Sequence, residues 1–93
     1  MNNTVYRPTE LGNRRLVELG NCAGLVIPTI EANVLQDIDE CWRLYDDGYE
    51  DSPFTHDNIY WKTKSEVPNL SEKFFNGFIR SLLDAGLIEI AEA

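Results

Sequence analysis

Between residues 37 and 61 the chain gathers eight carboxylates, among them Asp37, Asp39, Glu40, Asp46, Asp47, Glu50 and Asp51, and six of its ten aromatics, Trp42, Tyr45, Tyr49, Phe54, Tyr60 and Trp61. These residue types suit binding better than catalysis. Fixed negative charge steers a basic partner, and Tyr and Trp are the preferred anchors once water is expelled. Carboxylates spaced along a helix can also imitate the phosphates of a nucleic-acid strand and compete for a basic channel. The expected partner-binding set is therefore Asp37, Glu40, Asp46, Asp47, Glu50 and Asp51 for steering, with Tyr49 as anchor. The plainer alternative is an ordinary solvated helix face whose aromatics turn inward.

Other chemistries lack their residues. His56 stands alone beside Asp57 at a helix start and reads as a surface residue or an N-terminal helix residue. No glycine-rich phosphate loop or nucleophile elbow is present. Neither "DIDECW" nor "DDGYED" sets its acids and glycine as a calcium loop requires. Cys22 and Cys41 fall in no metal-ligand or C-x-x-C spacing, so two free and mostly buried thiols are expected, with no metal and no cofactor. An enzyme is not expected.

Charge is unevenly spread. The chain has 93 residues and a formal net charge of -8. Residues 31–51 hold eight acids against Arg43 alone, whereas residues 52–86 balance four acids with four bases. Phosphate affinity comes mainly from clustered Lys and Arg, so the acidic block opposes non-specific DNA binding. The N-terminal stretch "MNNTVYRPTELGNRR" has no apolar run, and no stretch approaches a membrane span of roughly 20 apolar residues. A cytoplasmic, single-domain chain spanning residues 1–93 is expected.

Periodicity and caps give the elements that must carry these groups. Thr9 caps a first helix, "TELGNRRLVELG", with Leu11, Leu16 and Leu19 on one face and Gly20 as its stop. "NCAGLVIP" is a buried connection or short strand closed by Pro28. Thr29 caps a second helix in which Ile30, Val34, Ile38, Cys41 and Tyr45 recur at three- and four-residue spacing, widened by Leu35 and Trp42. Asn33, Asp37, Glu40 and Asp47 lie toward its opposite face, and Gly48 ends it in the left-handed region. Thr55 caps "HDNIYWKTK", with Phe54 and Ile59 as a hydrophobic staple. Ser71 caps "EKFFNGFIRSLLDA", where Phe74, Phe75, Phe78, Ile79, Leu82 and Leu83 make the core face. Gly86 stops this helix and "LIEI" follows as a strand. Gly77, in mid-helix, costs roughly 1 kcal/mol against Ala, which predicts close packing of another backbone, from the fold or from a partner.

The segment "HDNIYWKTKSEVPNLSEKFFNGFIRSLLDAGLIEI" resembles the helix-turn-helix-strand unit of winged-helix domains. "VYRPTELGNRRL" looks like the strand and T-x-x-G helix that often follow the wing in such domains, although here it comes first. The turn lacks the usual Gly and holds Pro68. The resemblance implies a mainly α, winged-helix-like fold of about four helices. In place of a second wing strand downstream, residues 4–6 are expected to pair with residues 87–90 in a two-stranded β-ribbon, within one chain or between two as a swapped dimer. If function follows, helix four reads DNA with Lys73, Asn76, Gly77 and Arg80, while Lys62 and Lys64 meet phosphates. In size and charge the chain is also similar to small acidic phage-type inhibitors, some of which mimic nucleic acid. The leading expectation is thus a non-enzymatic acidic module, an inhibitor or adaptor, that binds a basic surface. A winged-helix transcriptional regulator is the first alternative and an oligomeric structural subunit the second.

Overall fold

The computed structural model describes residues 2–21 and 29–91. Its order is β1 (Val5–Pro8), α1 (Glu10–Asn21), α2 (Ile30–Asp46), α3 (His56–Glu66), α4 (Glu72–Asp84) and β2 (Ile88–Ala91). The fold is mainly helical with one small antiparallel ribbon, an arrangement compatible with a winged-helix-like domain. The "NCAGLVIP" stretch, Cys22 included, falls largely outside the described residues.

Local chemistry explains where the helices begin. Thr29 Oγ1 accepts from the Ala32 amide at 3.1 Å, and Ser71 Oγ accepts from the Phe74 amide at 3.2 Å. At Thr55 the exchange is reciprocal, because the Asn58 side chain accepts from the Thr55 amide at 3.0 Å. Each contact satisfies an amide that the first helical turn leaves unpaired. Gly48 and Gly86 carry the positive φ values, 85° and 72°, that close the ends of α2 and α4. Gly20 does not stop α1, which continues to Asn21.

α2 is the central element, and α1, α3, α4 and β1 all pack against it. Val34, Leu35, Ile38 and Cys41 of α2 meet Ile59 and Tyr60 of α3 and Phe75, Ile79 and Leu82 of α4 in one buried cluster. Phe74 is a correction to the sequence reading: it is 66% exposed, because Phe75 and Ile79 already fill the core-facing side of α4.

The two ends of the described chain meet in the ribbon. Val5 pairs with Ala91, Tyr6 with Ile90, Arg7 with Glu89 and Pro8 with Ile88. The pairing expected from sequence therefore forms within one chain, shifted slightly along both strands. Arg7 Nε donates to Glu89 Oε1 at 2.8 Å across the ribbon, and its guanidinium lies 5.8 Å from the Trp42 ring centre. A two-stranded ribbon is marginal alone. Here buried Val5, Tyr6, Leu87, Ile88 and Ala91 tie it to the helices. No helix among the described residues is long and apolar enough to cross a membrane.

Candidate functional site

The acidic loop is built at the end of α2. The Tyr49 and Glu50 amides both donate to the Leu44 carbonyl, at 2.9 and 3.1 Å, and Gly48 donates to Tyr45. These bonds fold residues 47–50 back on the last turn of the helix. They hold Asp46, Asp47, Glu50 and Asp51 close along a short stretch of chain, all exposed. Among the described residues none of these four carboxylates forms an ion pair. Tyr49 projects from the same loop, 78% exposed.

Asp37 and Glu40 take other places. Glu40 is exposed and sits 3.5 Å from Lys62 Nζ. Asp37 is a correction: only 3% exposed, it lies inside, where Thr63 Oγ1 donates to its Oδ2 at 2.8 Å. It stands three residues after Val34 and four before Cys41, so it flanks the apolar stripe, and α3 covers that flank. Burial pushes the Asp37 carboxyl up to about 6; the Thr63 hydrogen bond opposes this, and nearby Glu66 adds to it. Lys62 bridges Glu40 and Glu66 above this pair. Burial pulls the Lys62 ammonium down, yet Glu40, Asp37 and Glu66 outweigh it and leave the group raised. Cys41, free and buried beside them, is pushed up to about 11 by desolvation and stays a thiol. A thiol in that state is a poor nucleophile.

The residues aligned with DNA contact are partly committed elsewhere. Lys62 is held in its ion pairs. Lys64 Nζ donates to the Leu70 carbonyl at 3.0 Å and lies 5.7 Å from the Tyr60 ring, so it fastens the turn before α4. Asn76 Oδ1 accepts from the His56 ring at 2.8 Å. Lys73 and Arg80 remain exposed on α4.

His56 opens α3, one of the two places the sequence allows it, and the other, the surface, is a correction. It is 7% exposed, not on the surface. Its Nδ1 lies 2.8 Å from the Tyr6 hydroxyl, and its ring meets Phe75 edge-on at 5.0 Å. Nε2 faces a carbonyl oxygen, so in the neutral ring it is the nitrogen that donates, and Nδ1 accepts from Tyr6. Burial raises the Tyr6 phenol above its ordinary value, against a hydrogen bond with Thr4, and the hydroxyl stays protonated. The imidazole thereby links β1, α3 and α4. The N-terminal arm is fastened beside it, since the His56 amide donates to the Thr4 carbonyl at 2.7 Å and Asn2 N donates to Asp57 Oδ2 at 3.0 Å. No spacing rule reports such a contact, because its partners lie 50 and 20 residues away in the chain.

Two clefts open beside His56. One, of about 420 Å³, is lined by Asn2, His56, Asp57, Tyr60, Glu72 and Asn76. The other, of about 590 Å³, shares Asn2, His56 and Asn76 and continues over Gly77 toward Ile79, Arg80, Leu83 and Asp84. A methyl group on Gly77 would meet nothing within 4 Å, so this glycine does not serve packing inside the fold. That disposes of one of the two explanations for it. Gly77→Ala is expected to raise stability by about 1 kcal/mol through helix propensity alone. Parallel urea melts check this; a less stable variant would mean that the site is tighter than its surroundings indicate.

No family model matches the chain, and no match to it is found among curated proteins or solved structures.

Proposed function

We propose that this protein is a non-enzymatic acidic binding module, acting in the cytoplasm, that engages a basic surface of a protein partner through the loop at the end of α2. The observation that carries the reading is the set of four exposed carboxylates, in no ion pair among the described residues, around the projecting Tyr49. Backbone bonds to Leu44 and Tyr45 fix the loop before a partner arrives, so little ordering entropy opposes docking. Glu40 extends the negative field along α2. Asp37 is buried and does not contribute directly. The partner best suited to such a surface is a nucleic-acid-binding protein, whose basic channel normally receives phosphates; a phage-type inhibitor acts in this way.

Replacing Asp46, Asp47, Glu50 and Asp51 together by Lys is expected to abolish capture of that partner from an extract of the native cell. The parent's capture should weaken steeply between about 50 and 300 mM salt, as screening shortens the range of exposed charge. Undiminished capture by the reversed variant removes this reading.

The exposed pair Lys73 and Arg80 on α4 favours a second reading, a small DNA-binding regulator. Its support is thinner, because Lys62, Lys64 and Asn76 are engaged inside the molecule. Retention of the parent on duplex DNA at low salt, lost in Lys73→Ala with Arg80→Ala, would establish it.

A further inference from the structure

The two clefts beside His56 share one wall and form a groove running from the first turn of α3 across α4. We propose that this groove over Gly77 is a docking site for an extended basic peptide segment of a protein partner. It is a surface separate from the acidic loop and stands on separate observations.

The first observation is the glycine. A mid-helix glycine weakens a helix, and here the space above it is open. The cost is explained when a partner's backbone lies against the helix where a side chain would hold it off. The second observation is charge. Asp57, Glu72 and Asp84 line the groove against Arg80 alone, and among the described residues none of the four is in an ion pair. Asp57 uses one carboxylate oxygen for the Asn2 amide, leaving the other for a ligand. The third is chemical gradation. The end near Glu72 is polar, whereas Ile79 and Leu83 supply an apolar floor at the other end. A strand of alternating character can set an apolar side chain on that floor and extend a Lys or Arg toward Asp57 and Glu72. His56, held at both nitrogens, makes the shared wall rigid. Three carboxylates in the groove disfavour a phosphate backbone as its occupant.

The test is an amide-resolved NMR titration of the full chain with an acetylated, amidated peptide of alternating arginine and leucine. Saturable shifts are expected at the amides of Asp57, Asn76 and Gly77. Gly77→Leu, which keeps a good helix former, and Glu72→Gln should each weaken binding by about tenfold, equivalent to about 1.4 kcal/mol. The variant with Lys at positions 46, 47, 50 and 51 should show the same groove shifts, so failure of the loop reading and failure of this one are distinguishable. Shifts confined to residues 46–51, absence of saturable shifts, or unaltered binding by folded Gly77→Leu and Glu72→Gln would each overturn the proposal. So would a duplex oligonucleotide that moves the groove amides and loses this effect in Arg80→Ala, which would assign the groove to DNA.

Discussion

Gly12→Ala is expected to destabilise the protein by about 3 kcal/mol, the upper part of the range for overpacking a tight contact. For a chain of this size that loss lowers Tm by about 15 °C. A methyl group at this position would collide with the Leu87 carbonyl, and backbone cannot move aside as a flexible side chain can. The same carbonyl accepts from the Thr9 amide at 3.0 Å. Moving Leu87 away therefore breaks the bond that fastens the start of α1 to the start of β2. Moving α1 instead disturbs Thr9, whose hydroxyl both accepts from the Gly12 amide and donates to the Gly86 carbonyl. Either adjustment loosens the ribbon that joins the two chain ends. Thermal unfolding followed by far-UV circular dichroism measures the effect; a Tm within about 2 °C of the parent would show that the approach of α1 to Leu87 is not a constraint.

Asp37→Asn should act in the opposite direction, and its sign depends on pH. The folded carboxyl is raised to about 6, above its ordinary value of 3.8. Below about pH 4 the group is protonated in both folded and unfolded chains and costs nothing. As pH rises through about 6 the folded protein must ionise a desolvated carboxyl that the unfolded chain ionises in water. The group's contribution is thus favourable in acid and lost toward neutrality. About two pKa units correspond to about 3 kcal/mol. The substituted amide cannot ionise, can still accept from Thr63, and can donate to Glu66, so the variant avoids that cost. Urea melts at about pH 4 and pH 8 are expected to show similar stabilities in acid and a variant more stable by about 2–3 kcal/mol in base. A constant difference between variant and parent at both pH values would show that Asp37 does not titrate abnormally.

These two residues mark how far the sequence can be read. The helices, their Thr and Ser caps, the positive-φ glycines after α2 and α4, and strands at both ends are legible in it. Each depends on neighbours within a few positions, and such signals survive in the linear chain. The exposed loop with Asp46, Asp47, Tyr49, Glu50 and Asp51 is legible for the same reason: a polar run around a glycine stop has little to bury.

What only the tertiary structure decides lies between elements. Charge alone assigns Asp37 to solvent, yet α3 covers its side of α2. Position alone assigns His56 to the surface or to a helix start; it does start α3, yet the N-terminal arm, Tyr6 and Asn76 pack around it from distant parts of the chain. Within the fold, the glycine that admits a neighbouring backbone is Gly12 against Leu87, whereas Gly77 faces open space. Spacing along a helix fixes which residues share a face, because 3.6 residues make a turn. Which face another segment covers depends on contacts that span tens of residues, and the linear pattern contains no record of them.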